Sequence, residues 1–199
     1  ERFNLGYAPG LDRHDHTQLM KYLASKNVTV EQMAEAGLII HGPDIAEPYD
    51  RFRNRLIFPI RDLSGEIIGF GARKLADDDN GPKYLNTPET PIYKKAQVLY
   101  GLDLAKRDIS REHRVVVVEG YTDVISLHQH GIESMWMEGA YPGSAYDPEQ
   151  CRFWPSVFRD NGYTTAHIGK WHTGVDAGFG RDWDFQMVWN RPRRPQKAP

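Results

Sequence analysis

Two groups of side chains in this sequence have the types and spacing to act on phosphates. The first is Glu119, which directly follows Val115-Val116-Val117-Val118. A short, wholly apolar β-branched run reads as a strand covered on both faces, and open α/β sheets hold ligands at the carboxyl ends of such strands. Gly120 lets the backbone turn closely and Asp123 stands four residues on, so the two carboxylates, Glu119 and Asp123, could hold a Mg²⁺ that bridges phosphate oxygens. A plainer reading has Glu119 as a solvated loop residue and Asp123 as a charge favouring a helix N-terminus, and these residues alone leave both open.

The second group is cationic. In an extended strand side chains two apart share a face, so Arg51, Arg53 and Arg55 are expected to form a row of guanidiniums. Arg73 joins them from a partner strand, and Lys83, Lys94 and Lys95 continue on the polar stretch that follows, a basic track suited to a phosphate backbone. The alternative is a solvated edge strand whose charges guard it against aggregation.

These side chains need elements to place them. Leu19, Met20 and Leu23 predict a helix within 15–26, and Thr29 caps a second one from Val30 to Ala36 that stops at Gly37. Residues 51–61 and 66–73 read as a hairpin around Asp62-Leu63-Ser64-Gly65. A short helix is expected over 97–106 and a strand over 114–118. Thr122 then caps a helix with Val124, Ile125 and Leu127 facing inward and Gly131 ending it, which makes half of a βαβ unit.

Composition bounds the function. A chain of 199 residues that is 40% hydrophobic and 26% charged is a globular chain of one or two domains. The formal charge of −2 means that nucleic-acid binding must come from a local patch. One cysteine, Cys151, allows no internal disulfide, and no apolar run approaches the ~18 residues of a membrane span, so a soluble, cytoplasmic protein with no membrane partner is expected. All five tryptophans lie after Ser134, from Trp136 to Trp189, which places a composition seam near Ser134.

Several stretches together resemble the catalytic core of bacterial replicative DNA primase. They are Tyr49-Asp50-Arg51-Phe52-Arg53-Asn54-Arg55-Leu56-Ile57-Phe58-Pro59-Ile60-Arg61-Asp62, Gly69-Phe70-Gly71-Ala72-Arg73, Pro82-Lys83-Tyr84-Leu85-Asn86-Thr87-Pro88-Glu89-Thr90, Leu99-Tyr100-Gly101-Leu102 and Val117-Val118-Glu119-Gly120-Tyr121-Thr122-Asp123-Val124. The resemblance runs from about residue 2 to 133. It implies an α/β protein, with an α+β N-terminal subdomain over 1–110 leading into an incomplete toprim-like parallel sheet over 111–134. It implies RNA primers made from ribonucleotides on a single-stranded DNA template. Glu119 matches the first acidic toprim position, a metal-site and catalytic residue. Lys83 and Lys95 match basic residues near template, nucleotide or primer, and Arg53 and Arg73 match the basic face beside the active site.

The family's second acidic motif, Asp-x-Asp at the end of the next strand, has no clear match, and Asp182-Trp183-Asp184 is a weak substitute. A single cysteine cannot build the family's zinc module, so no zinc site is expected. The family's partner is a replicative helicase, whose interaction region has no match here. Residues 135–199 are Trp-, Gly- and Pro-rich, and about 135–195 resembles an internal stretch of the sulfatase family around Gly169-Lys170-Trp171-His172, where Lys170 and His172 would face one anion. The Cys-x-Pro-Ser-Arg nucleophile of that family has no match. The sequence thus reads as a primase core cut inside its toprim domain and joined to a sulfatase-like piece, with little or no primer synthesis expected from the chain alone. Its rivals are a sulfate-ester hydrolase and a non-catalytic nucleic-acid-binding module.

Overall fold

The computed structural model describes residues 2–10, 15–75, 81–118, 120–132, 134–137, 154–169 and 183–188. The chain divides into two compact units, Glu1–Gly139 and Ala140–Pro199. No described helix is long and apolar enough to cross a membrane.

The first unit opens with strand β1 (Gly6–Ala8) and two short helices, α1 (Gln18–Ala24) and α2 (Val30–Glu35). Helix α2 starts as the sequence predicts: the Thr29 side chain accepts from the Gln32 N–H at 3.3 Å while the Gln32 side chain accepts from the Thr29 N–H at 2.9 Å, a reciprocal capping box. Thr17 stands at the N-cap of α1 without a side-chain capping bond, its hydroxyl donating to Asp15 instead. The open N–H groups of Leu19 and Met20 are taken instead by the buried carboxylate of Asp50, at 2.7 and 2.9 Å. Asp50 belongs to β3 (Tyr49–Asp50), paired antiparallel with β2 (Ile39–Ile40). The helical entry is therefore tied to the polar start of the Tyr49–Asp62 stretch.

Strands β4 (Arg55–Arg61) and β5 (Ile67–Lys74) form the expected hairpin, closed by Asp62, whose carboxylate accepts from the Ser64 and Glu66 N–H groups and the Ser64 hydroxyl. With β1 on one side and β6 (Tyr84–Asn86) on the other they give an antiparallel sheet of order β1-β4-β5-β6. The strand begins at Arg55, not at Arg51, because Asn54 sits in the left-handed region at φ 50° and turns the chain.

A 3-10 turn at Lys95–Gln97 and strand β7 (Leu99–Tyr100) occupy the place where a helix over 97–106 is expected. Gly101, at φ 84°, reverses the backbone, and helix α3 runs from Leu102 to Glu112. Strand β8 (Val116–Val118), helix α4 (Tyr121–Gln129) and strand β9 (Ser134–Met137) follow. The βαβ unit is complete rather than half: β8 pairs in parallel with β9 in the register Val116↔Ser134, Val117↔Met135, and β7 adds antiparallel to give the order β7-β9-β8. Residues beyond the composition seam supply the neighbour that the valine run needs. The three valines are half-buried.

Helix α4 is capped by Gly120, with Thr122 exposed in its first turn rather than capping it. Tyr121, Val124 and His128 form its buried stripe, with Ile125 and Leu127 half-buried beside it. At its end Gly131, at φ 71°, lets the Ile132 N–H reach Leu127 O at 2.9 Å and the Gly131 N–H reach His128 O at 3.2 Å, a Schellman ending. The core gathers Phe58 and Ile60 of β4 with Tyr93, Tyr100, Tyr121 and Val124. In the second unit, helix α5 (Trp154–Asp160) precedes parallel strands β10 (Ala166–Gly169) and β11 (Phe185–Val188).

Candidate nucleic-acid interface

Four hydrogen bonds converge on the segment Pro82–Asn86. The Arg55 guanidinium donates from Nη1 to the Pro82 carbonyl at 2.8 Å, and the Lys74 N–H donates to the Lys83 carbonyl at 3.0 Å. Arg51 Nε donates to the Asn86 carbonyl at 3.1 Å, and the Tyr121 hydroxyl donates to Asn86 Oδ1 at 3.2 Å. Thr87 then accepts the Phe70 N–H on its hydroxyl at 2.8 Å and donates its own N–H to Phe70 O at 2.8 Å. Lys83 is exposed on this fixed segment, its ammonium 5.8 Å from the centre of the Tyr84 ring.

The expected row of three guanidiniums is not formed. Arg51 and Arg53 lie before β4, and each arginine binds a different carbonyl. Arg53 Nη1 donates to Asp50 O at 2.7 Å, with its guanidinium 4.8 Å from the centre of the Tyr49 ring. Arg55 is buried, at 4% exposure, and burial lowers the pKa of Arg51. Two of the three therefore hold the Pro82–Asn86 segment in place rather than lining a track. Arg73 is half-buried on β5, opposite Tyr84 in the register. Lys94 faces Glu89 Oε2 at 3.6 Å, and Glu89 Oε1 accepts the N–H of Lys95, whose side chain is half-buried.

Tyr121 joins this surface to helix α4. Its ring stacks on Phe58, centroids 4.7 Å apart, and meets Tyr100 edge-on at 4.7 Å. That packing requires Gly71, because a Cβ there would stand 2.2 Å from the Tyr121 hydroxyl. Asp123 is exposed in the first turn of α4 and Glu119 lies outside the described residues, as do Lys170, His172, Cys151 and Asp182. No group of three or more His, Cys, Asp or Glu among the described residues is placed to hold a metal ion. Asp184 is engaged otherwise: Oδ2 accepts the Thr165 N–H at 2.7 Å and Oδ1 meets Arg159 Nε at 3.1 Å, and the Thr165 N–H is the main cause of its lowered pKa.

The family described as the DNA primase catalytic core, N-terminal domain, matches residues 1–106. This chain belongs to that family. The DNA primase of Streptomyces coelicolor is 47% identical over 162 residues, 81% of this chain and 24% of the relative, an alignment that must extend past Ser134. The chain spans about a quarter of the length of such curated relatives. The RNA polymerase domain of Mycobacterium tuberculosis primase DnaG, solved with a double-stranded DNA oligomer bearing a 6-nucleotide overhang, superposes with a TM-score of 0.66 at 39% identity over 84% of this chain and 51% of that one. A DnaG primase catalytic domain bound to ssDNA superposes with a TM-score of 0.61 at 40% identity over 70% of this chain and 41% of that one.

Tyr84, Asn86 and Tyr121 lie inside the resembling stretches, but the sequence assigns them no role of their own. Nothing in the spacing of a tyrosine and an asparagine 35 residues apart signals their hydrogen bond. Asp50 was equally silent, since its partners lie 30 and 31 residues upstream.

Proposed function

We propose that this chain is part of the primer-synthesising core of a DNA primase, holding single-stranded DNA and ribonucleotides against the β4–β5–β6 surface. The observation that carries the reading is the immobilised Pro82–Asn86 segment, which presents Lys83 beside Arg73 and is bonded through Asn86 to the first residue of helix α4. Fixed cations stabilise the charge that develops on phosphoryl oxygens during transfer, and orientation is most of what such a reaction asks of a protein. In this reading Lys83 and Lys95 meet nucleotide or primer phosphates, while Arg53, Arg73 and Lys94 border the template. Arg51 and Arg55 hold the segment itself. Glu119 and Asp123 are the oxygen donors for Mg²⁺ or Mn²⁺, which when bound would neutralise phosphate charge. The β7-β9-β8 sheet with α4 is read as the start of a toprim-like fold. The setting is cytoplasmic replication, with a replicative helicase as a partner of the whole protein.

The test places residues 1–137 of this chain in the Streptomyces coelicolor primase in exchange for the matching segment. Primer synthesis from labelled ribonucleotides is expected to persist and to fall at least about 100-fold on Glu119→Gln, the scale of losing a transition-state group. A folded, template-binding exchange protein that makes no primers contradicts the reading. The isolated chain is expected to bind template and to make little primer. A second reading, sulfate-ester hydrolysis at Lys170 and His172, rests on the resemblance around Gly169-Lys170-Trp171-His172 alone. It requires release of sulfate from an aryl sulfate that is lost on Lys170→Ala.

A further inference from the structure

The registers of the four-stranded sheet line up one transverse row of side chains. Tyr7 on β1 opposes Leu56 on β4, Leu56 opposes Arg73 on β5, and Arg73 opposes Tyr84 on β6. Directly opposed residues in antiparallel strands point to the same face, so all four share one. The next row on that face, Phe58, Gly71 and Asn86, is covered by Tyr121. The Tyr7–Tyr84 row is thus the first beyond that cover.

Its ends are open. Tyr7 is 48% and Tyr84 45% exposed, although the Tyr7 ring is anchored by a 3.1 Å bond from its hydroxyl to Asn54 Oδ1. Single exposed tyrosines are ordinary. Here two stand in one row, about 14 Å apart at three strand spacings, with a guanidinium between them and the Lys83 ammonium beside the second. The Arg73 side chain makes no hydrogen bond or ion pair with a described residue. Aromatic faces alternating with cations on a sheet are suited to unpaired bases joined by phosphates.

We infer that Tyr7 and Tyr84 are stacking positions for two bases of a single DNA strand, which crosses the sheet along the Tyr7–Leu56–Arg73–Tyr84 row with Arg73 and Lys83 on its phosphates. This deepens the template-binding reading above and rests on it. It adds a contribution to affinity from the bases themselves, whatever their sequence.

Fluorescence anisotropy with two labelled strands of equal length, oligothymidylate and its abasic counterpart, tests it on the whole chain. The wild type is expected to prefer the base-bearing strand by about 100-fold at fixed salt, with about 10-fold lost in each of Tyr7→Ala and Tyr84→Ala. The double variant is expected to bind both strands equally. Tyr84→Trp should keep or strengthen the preference, and Tyr7→Phe, which removes only the bond to Asn54, should keep most of it. Equal wild-type affinity for the two strands overturns the stacking inference while leaving the template reading intact, as does intact preference in the double variant. Absence of binding to either strand at low salt overturns both.

Discussion

Arg55 Nη1 donates to the carbonyl oxygen of Pro82 across 2.8 Å, from a side chain only 4% exposed. A guanidinium buried against the main chain fixes the segment that precedes Lys83. Arg55→Lys keeps the charge but loses the planar fork, so a loss of about 1.5–3 kcal/mol in unfolding free energy is expected, the range for a hydrogen bond to a charged group. Urea denaturation measures it. Arg53→Ala, which removes a half-exposed bond to Asp50 O, should cost less.

Gly71 is required by the packing of the neighbouring helix. A methyl group there would press on the Tyr121 hydroxyl, whose ring already stacks on Phe58, the cross-strand neighbour of Gly71. Gly71→Ala is expected to destabilise the first unit by about 1–3 kcal/mol, as overpacking does, and to weaken the bond to Asn86. The thermal midpoint and template affinity should fall together.

The Tyr100 hydroxyl is buried and has no hydrogen-bond partner among the described residues, and burial together with the Asp103 charge pushes its pKa up. Removing an unsatisfied polar atom without changing the ring relieves a desolvation cost. Tyr100→Phe should raise unfolding free energy by about 1 kcal/mol. A lower value in denaturant titration would show that the hydroxyl is bonded in solution.

Two aspartates give opposite pH dependences. Hydrogen bonds from Lys21 and from the Thr17 hydroxyl and N–H lower the Asp15 pKa from 3.8 to about 2. Its contribution is complete above the unfolded value near 3.8 and is lost as pH falls toward 2. Burial raises the Asp103 pKa, so its folded form holds a proton longer, and this residue's contribution declines as pH rises above 3.8 through the raised folded value. Asp15→Asn should flatten the acid limb of stability against pH, while Asp103→Asn should remove the loss on the rising side.

What the sequence revealed was local. The Thr29 cap, the Asp62 turn and the Gly131 helix ending each depend on residues within a few positions, and all three stand where the pattern places them. The arginine row failed because one left-handed residue, Asn54, interrupts the alternation on which it relied. Helix α3 starts later than expected because Leu99 and Tyr100 pair with Met137 and Trp136, partners that no local pattern reveals. The Tyr7–Tyr84 row depends on three registers at once, and the Asn86–Tyr121 bond on packing of α4 over Gly71. The family was legible because its motifs recur in order, even though the contacts that make them work are distant in the chain.

In the proposed function Lys83, held out on the Pro82–Asn86 segment, grips a single strand. The direct measurement is the dissociation constant of a labelled single-stranded oligonucleotide across a range of salt concentrations, for the wild type and for Lys83→Ala. Binding should weaken linearly with the logarithm of salt, and the variant's slope should be smaller by about 0.7, one phosphate contact on a single strand. A wild-type affinity indifferent to salt, or a slope unchanged by Lys83→Ala, would contradict it.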